Sequence, residues 1–262
     1  MILDDIAAYT RERIALLRQR EPVEALAEKA AALPADTGFP FEQALRGEDI
    51  GFICEVKRAS PSKGLIAPDF PYLQIAQEYE AAGAAAVSVL TEPRYFKGSD
   101  QYLQEIAAAV SLPALRKEFV VEEGMIHEAR LLGASAVLLI CAILSPDTLA
   151  SYIALAHRLG LSALVEAHTA DEVHMALDAG ARVIGVNNRD LQTFQVDIRT
   201  GIRLRELVPP DILYVSESGI RTAEDVAMLR RCGANGVLVG ETLMRAPDKR
   251  AALAHLRGMN HE

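Results

Sequence analysis

Charged side chains stand at the ends of short apolar runs along the chain. Glu55 and Lys57 lie at the end of one run, Lys117 and Glu166 lie at the ends of two others, and Glu217 lies at the end of a fourth. Burying a charge costs free energy unless the charge is paired. Two ammonium groups and three carboxylates around one pocket could exchange protons with a substrate, because such clusters are where shifted pKa values occur. A structural ion-pair network is the alternative for any single member.

Small residues follow the last two apolar runs. These are Ser218-Gly219 and Gly240-Glu241, and each pair precedes the start of a helical pattern. Backbone N–H groups at a helix start bind anions, and glycine lets a ligand approach the main chain closely. The two segments therefore predict a phosphate site, with a plain tight turn as the alternative at each.

A repeat reveals the elements that would position these residues. Gly83, Gly133, Gly180 and Gly233 lie 50, 47 and 53 residues apart. Each ends a helical pattern, as a left-handed C-cap does, and each precedes an apolar run typical of a buried strand. One interval is too long for a single strand–helix unit but fits two. Four pairs of units predict eight strands.

The eight predicted strands alternate with amphipathic stretches that carry helix-start signals. The strands are expected at 52–56, 85–90, 114–115, 136–140, 163–165, 183–186, 212–215 and 236–239. Ser145-Pro146 resembles a capped helix start, and Thr169 and Thr222 each have an acidic residue three positions on. This alternation predicts a parallel sheet. Eight units favour a closed (β/α)₈ barrel over an open doubly wound sheet, whose G-x-G-x-x-G motif is absent from the sequence.

The first 50 residues lie outside the repeat and have helical spacing of their own. Three apolar sets predict three segments: Ile6, Tyr9, Ile14 and Leu17; Leu26, Ala30 and Leu33; and Phe39, Phe41 and Leu45. We expect residues 1–262 to form a single barrel domain on which residues 1–50 pack as a helical extension.

Composition narrows the possible partners. The chain of 262 residues has a net charge of −9 and no tryptophan. An acidic chain without a basic block is a poor binder of nucleic acid or of acidic membranes. No run approaches the ~18 apolar residues of a membrane span. Asp4, Asp5 and Arg11 interrupt the N-terminus before an apolar core could form, so we expect no signal peptide and a cytoplasmic protein.

The sequence also argues against bound metal and nucleotide cofactors. Its six histidines include no H-E-x-x-H pair, and it contains no Walker A motif. The three cysteines are far apart and are expected to be free thiols in a reducing compartment. His168 follows Glu166 and could face the pocket or cap a helix, and capping is favoured.

Five segments together resemble the signature segments of the indole-3-glycerol-phosphate synthase family. They are EVKRASPSKG at 55–64, LRKEF at 115–119, LVEAH at 164–168, GVNNRDL at 185–191 and VSESGI at 215–220. The resemblance runs from about Phe39 to Ala246. Arg58 and Ala167 depart from the usual lysine and valine, but neither occupies a proposed catalytic position.

The resemblance implies a reaction. The family converts 1-(2-carboxyphenylamino)-1-deoxyribulose 5-phosphate to indole-3-glycerol phosphate, releasing CO₂ and water, in tryptophan synthesis. The resemblance implies a carboxy-lyase that needs no metal and no organic cofactor. It also implies that Lys117 is the general acid, that Lys57 is a second acid near the substrate carboxylate and phosphate, and that Glu55 accepts a proton and orients Lys57.

Further roles follow from the same resemblance. Glu166 would assist departure of the hydroxyl, Asn187 would hydrogen-bond substrate or intermediate, and Glu217 would fix the lysine geometry. Ser218 belongs both to this catalytic set and to the phosphate contacts. The remaining substrate-binding residues are expected to be Ser60 and Arg189 at the anthranilate end, Phe96, Phe119 and Leu138 as apolar walls, and Gly219, Gly240 and Glu241 at the phosphate.

Two rival functions remain open at this stage. One is another phosphate-binding barrel enzyme, such as a phosphoribosyl anthranilate isomerase, although the set of Lys57, Lys117 and Glu166 argues against it. The other is a barrel that binds a phosphorylated metabolite without catalysis, because fold alone does not fix function. We expect a monomer that could associate with other enzymes of tryptophan synthesis. Residues 64–68 are predicted to form either a mobile lid or a plain surface loop.

Overall fold

Eight parallel strands form a closed barrel in the computed structural model, which describes residues 2–190 and 193–259. Each strand pairs with its neighbours along the chain, and the last strand pairs with the first. Leu191, from the fourth signature segment, lies outside the described residues. The barrel strands are β1 Gly51–Val56, β2 Ala86–Leu90, β3 Ala114–Lys117, β4 Ala136–Ile140, β5 Ser162–Ala167, β6 Val183–Asn187, β7 Leu213–Glu217 and β8 Gly236–Val239.

Helices connect these strands and precede them. Within the described residues they are α1 Ile2–Arg18, α2 Val23–Ala31, α3 Pro40–Ala44, α4 Tyr72–Ala81, α5 Asp100–Ala109, α6 Gly124–Leu131, α7 Pro146–Arg158, α8 Ala170–Asp178, α9 Ile198–Arg205, α10 Ala223–Arg231, α11 Glu241–Arg245 and α12 Lys249–Leu256. The predicted helix starts are confirmed: Ser145, Thr169 and Thr222 each accept a backbone N–H three residues on. None of the described helices combines the length and hydropathy of a membrane span.

The repeat of Gly-Ala segments marks four helix-to-strand turns. At Gly133, φ is 85° and the following Ala134 N–H donates to Ala129 O, which closes the last turn of α6. The other three repeat glycines also have positive φ, and the alanine after each makes the same bond. The chain then enters β2, β4, β6 or β8, as predicted.

Several strands extend further than their apolar runs. β3 continues through Lys117, β5 through Glu166, and β7 through Glu217. Ladder pairing sets these ends, because Leu90 pairs with Lys117 and Asn187 pairs with Glu217 whatever the polarity of the side chains. The polar residues therefore belong to the strands themselves.

The N-terminal helices contact the barrel at both ends. Arg13 and Arg18 of α1 form ion pairs beside the carboxyl ends of the strands, Arg13 with Glu118 at 2.8 Å. Phe41 of α3 and Leu45 after it pack in the apolar cluster of the barrel interior. Leu17 and Leu33 of the extension are 39% and 38% exposed, so they do not share the burial of Ile14 and Ala30.

We predict that Phe41→Ala lowers the free energy of unfolding by about 3–5 kcal/mol, because it empties a fully buried site beneath the barrel. Urea titration measures the loss. Leu16→Ala is the matched control, since Leu16 is 64% exposed and its truncation leaves no cavity. Equal losses for the two variants would show that α3 does not close the barrel.

Candidate active site

A single pocket at the carboxyl ends of the strands collects the predicted site residues. All of them line it: Glu55, Lys57, Ser60, Phe96, Lys117, Phe119, Leu138, Glu166, Asn187, Arg189, Glu217, Ser218, Gly219, Gly240 and Glu241. They converge because parallel strands in a barrel all end on the same side. Their placement in one pocket is an observation, whereas their individual roles stay predictions.

Lys117 lies between two carboxylates at the centre of the pocket. Its Nζ is 3.1 Å from Glu166 Oε2 and 3.4 Å from Glu217 Oε2. The three residues lie at the carboxyl ends of β3, β5 and β7, which are alternate strands whose inward side chains meet in one layer. The carboxylate side chains are only 5% and 2% exposed. Solvent therefore screens these pairs little.

Burial and the neighbouring charges set the protonation of this trio. Burial raises the pKa of Glu217 to about 7 despite Lys117, and the charge of Glu166 adds to the rise. Burial also acts to raise the pKa of Glu166, but Lys117 and His168 outweigh it and the net pKa is lowered. Burial acts to lower the pKa of Lys117, but the surrounding carboxylates outweigh burial and the net pKa is raised. The site thus holds one ammonium, one carboxylate and one carboxyl that titrates near neutrality, an arrangement suited to acid and base chemistry.

A second lysine–carboxylate pair lies across the pocket. Lys57 Nζ donates to Glu55 Oε2, so the structure pairs Glu55 with Lys57, as the sequence suggested. Gly240 makes room for this pair: a Cβ there would approach Lys57 Nζ to 2.9 Å and Glu55 Oε2 more closely still. Gly240 thus has a packing reason for its lack of side chain, alongside its predicted phosphate contact.

The turn after β7 has an unusual backbone. Ser218 and Gly219 both have positive φ, 67° and 86°, and this conformation is costly for the serine. Asn188 holds the turn, because its Nδ2 donates to Ser218 O at 3.0 Å. A Cβ at Gly219 would lie 2.5 Å from Val196 Cγ1. The hydrogen bond from Asn188 and the packing of Val196 therefore fix the conformation of this turn.

Apolar and charged walls complete the pocket. The rings of Phe96 and Phe119 have centroids 5.9 Å apart, and Phe119 packs against the apolar cluster that contains Leu138. Glu241 is held by two cations, Lys63 at 3.6 Å and Arg245 at 3.0 Å. An apolar slot between charged groups suits a flat aromatic ligand that carries anions.

Sequence reasoning missed parts of the pocket. Leu3 and Ile6 of α1 line it, as do Phe194 and Val196 of the loop after β6. Neither pair could be found from the sequence, because neither follows directly on an apolar run. Leu3 and Ile6 lie outside the repeat, and Phe194 and Val196 lie in the loop beyond β6. Lys63 belongs to the quoted segment 55–64 and could have been found there.

His168 differs from the favoured interpretation. Its backbone N–H does join the helix start, donating to Glu172 Oε2 at 2.6 Å. Its ring, however, lies 3.4 Å from Glu166 Oε1, because β5 turns into α8 just behind the buried carboxylate. The imidazole thus contacts Glu166 from outside the pocket, while the Thr169 side chain caps helix α8.

Comparison with known proteins identifies the family. The family model described as Indole-3-glycerol phosphate synthase matches residues 3–256. The chain belongs to the indole-3-glycerol phosphate synthase family. The indole-3-glycerol phosphate synthase of Ruminiclostridium cellulolyticum is 57% identical over 98% of this chain and 99% of its own length. That of Lactiplantibacillus plantarum is 52% identical over 98% of each chain.

More distant solved structures share only the fold with this member of the indole-3-glycerol phosphate synthase family. A mutant tryptophan synthase α-subunit from Pyrococcus furiosus has a TM-score of 0.62 at 15% identity, covering 80% of this chain and 98% of that one. A 3-hexulose-6-phosphate synthase gives 0.63 at 14% identity, covering 80% and 99%. Within the described ranges, no cluster of three histidine, cysteine or acidic side chains could hold a metal ion.

We predict a pH-dependent stability that comes from Glu217. Its pKa in the folded state lies above the ordinary 4.5, so the folded state holds this proton more tightly. The resulting stabilisation is complete below pH 4.5 and is lost as pH rises towards 7, by at most about 1.4 kcal/mol per pH unit.

Urea titrations of the wild type and of Glu217→Gln across this range measure the effect. The stability of the wild type relative to Glu217→Gln should fall as pH rises, because glutamine does not titrate. Glu24→Gln, on the exposed face of α2, should track the wild type at every pH. A difference between wild type and Glu217→Gln that stays constant with pH would refute the assignment.

Gly185 should control the position of Glu217. A Cβ at Gly185 would collide with Glu217 Oε1 and approach Leu164 Cδ1 to 3.1 Å. Gly185→Ala should therefore displace the carboxylate from Lys117 and lower kcat about 10- to 100-fold, since small misplacements are costly in catalysis. In the control Gly236→Ala, the Cβ meets Leu45 Cδ2 at 2.8 Å at the opposite end of the barrel. It should cost stability and spare kcat, and equal kcat values for both variants would contradict the prediction.

Proposed function

We propose that this chain is an indole-3-glycerol phosphate synthase. It closes the indole ring of 1-(2-carboxyphenylamino)-1-deoxyribulose 5-phosphate and releases CO₂ and water. The observation that carries the proposal is Lys117, held at 3.1 and 3.4 Å from two buried carboxylates in a pocket with an aromatic wall. Family membership and the close relatives support the same activity.

Ring closure begins with attack of the aromatic carbon that bears the carboxylate on the ribulose carbonyl. The carbonyl oxygen gathers negative charge as the new bond forms. Lys117 is the proton donor to that oxygen, because its ammonium is fixed in place and its surroundings exclude most water. Asn187 hydrogen-bonds to Glu166 in the free site and is placed to contact the intermediate.

The second half of the reaction needs a base as well as an acid. Loss of CO₂ leaves its bonding electrons in the ring and restores aromaticity. Glu166 protonates the departing hydroxyl, which leaves as water. Glu55 accepts the proton lost from the ring methylene and orients Lys57, the second acid, and their direct contact supports this coupling.

Binding roles follow the shape of the pocket. Phe96, Phe119 and Leu138 hold the aromatic ring by apolar contact. Arg189 and Ser60 meet the anthranilate carboxylate. The phosphate is bound opposite, mainly by main-chain N–H groups, at Ser218, Gly219, Gly240 and Glu241.

We further propose how the chain is organised and where it acts. Residues 1–262 form a single domain, with 1–50 as an extension, and the packing of Phe41 and Leu45 inside the barrel supports this. The protein acts as a monomer in the cytoplasm, where it can associate with other enzymes of tryptophan synthesis. The buried thiols of Cys54 and Cys141 fit a reducing compartment.

The test is incubation of the purified chain with the carboxyphenylamino ribulose phosphate, without added metal, while indole fluorescence is followed. We expect product to form and Lys117→Ala to lower kcat by about 10²–10⁴-fold, the usual contribution of a positioned acid. The variant should still bind substrate through the remaining walls.

Lys29→Ala is the matched control, because Lys29 lies in an exposed ion pair on α2 and should leave turnover unchanged. Thermal unfolding of Lys117→Ala separates loss of chemistry from loss of fold. Wild-type protein that forms no product, or Lys117→Ala with normal turnover, would rule out this function.

A further inference from the structure

The proposed reaction consumes a proton that must come from solvent. The carbonyl oxygen takes up one proton and the departing hydroxyl takes up a second, while the ring methylene gives one back. The net balance is one proton consumed per turnover, which matches conversion of the substrate carboxylate into neutral CO₂. Glu166, whose pKa is lowered in the free site, must gain a proton in each cycle before it can give one to the leaving hydroxyl.

Glu166 is enclosed on its pocket side. Lys117 is 3.1 Å from Oε2, and the side chain of Glu166 is only 5% exposed even without substrate. A substrate against the aromatic wall would cover the same opening. A route for protons that avoids the substrate mouth would therefore have to leave Glu166 from the other oxygen.

The other oxygen faces His168. His168 Nε2 lies 3.4 Å from Glu166 Oε1, and Nδ1 lies 3.3 Å from Glu172 Oε2. Among the described residues, Nε2 is buried without a hydrogen-bond partner. A small rotation of the ring or the carboxylate would close the gap to a hydrogen bond, as often happens when a site binds substrate. The ring thus bridges a buried carboxylate to one that is 21% exposed.

A second cavity lies on the far side of the ring. His168, Thr169 and Glu172 line it, and Thr193 and Gln195 form an exposed part of its rim. Glu166 lines the first pocket but not this one. The imidazole is therefore the part of the wall that separates Glu166 from a solvent-accessible polar cavity.

We propose that His168 carries solvent protons from the second cavity to Glu166, protonating this carboxylate while substrate fills the first pocket. The proposal rests on the proposed function. Before the hydroxyl departs, the Nε2–H proton of the imidazolium passes to Glu166 Oε1, and Glu166 then gives a proton to the hydroxyl. Nδ1 keeps its own proton during this step, and Nε2 then regains a proton from water in the second cavity as the ring turns towards it. No electrons change hands.

The charges around His168 favour this cycle. Burial acts to lower its pKa, but the hydrogen bond to Glu172 and the charge of Glu166 outweigh burial, so the pKa is raised above its ordinary value. Glu217 adds to the rise from the barrel side, where Lys117 is the opposing cation. The charged or titratable groups along the second cavity are Asp4, Arg189, Asp190 and Asp197, and Cys141 packs on the backbone of Glu172. The raised pKa favours the protonated ring, which can donate through Nε2.

A purely structural His168 would hold Glu166 in place without moving protons. Two variants separate the roles. His168→Asn keeps a polar group beside Glu172 but cannot transfer a proton, and His168→Ala leaves a space that imidazole can enter. His174→Ala is the matched control, because His174 is an exposed histidine on the same helix, α8.

The experiment follows product formation in the full-length protein, both in single turnovers and in steady state. We expect His168→Ala and His168→Asn to slow the first turnover as well as later ones and to leave KM near wild type, because Glu166 starts as a carboxylate and needs a proton in every turnover. Steady-state kcat should fall about 10-fold or more and should acquire a larger solvent deuterium isotope effect. Added imidazole should restore kcat of His168→Ala in proportion to the imidazolium concentration.

Two outcomes would overturn the proposal. They are an unchanged steady-state kcat in both variants, and a loss that imidazole does not restore and that leaves the isotope effect unchanged. The second outcome would indicate a structural role. Wild-type protein without turnover would instead refute the proposed function, so the two failures are distinguishable.

Discussion

The site depends on one buried ammonium that has two carboxylate neighbours. Lys117 and Glu217 are the last residues of β3 and β7, and Glu166 and Glu55 are the last but one of β5 and β1. The four charged residues therefore come from the four odd-numbered strands. In a barrel of eight strands, alternate strands contribute one layer of inward side chains. The top layer of this barrel is therefore charged. It is stable only as a set, because removing one partner leaves an uncompensated buried charge.

Apolar layers beneath the charged layer explain its electrostatics. Ile53, Leu115, Leu164 and Val215 lie two residues before the four charged residues on the same strands, and all belong to the interior cluster. These apolar side chains exclude water from the side of the carboxylates that faces the barrel interior. Lys117 alone cannot offset burial for two neighbouring carboxylates, and His168 helps to lower the pKa of Glu166, so the pKa values of Glu166 and Glu217 move in opposite directions. The difference in protonation thus depends on the layer geometry and on the ring behind Glu166.

The same geometry decides what sequence alone could predict. Strands that are all parallel end on one side, so a charged residue at the end of an apolar run points to the pocket without any knowledge of the contacts. This rule placed Lys117 and Glu217 correctly. It could not place Leu3 or Ile6, because a helix outside the repeat gives no hint of which barrel end it covers. It also missed the ring of His168, since a helix-start pattern constrains the backbone and leaves the side-chain direction open.

The residue after Lys117 connects the charged layer to α1. Alternation along the extended chain points Lys117 inward and Glu118 to the other side, where it accepts from Arg13 at 2.8 Å and from Thr91 at 3.2 Å. Burial raises the pKa of Glu118 although Arg13 opposes it, so this pair is formed at some electrostatic cost. A covalent neighbour of the central lysine therefore anchors the helix that contributes Leu3 and Ile6 to the pocket wall. Displacing α1 would open that wall and remove Arg13 from Glu118, so the position of the helix is linked to the strand end that carries Lys117.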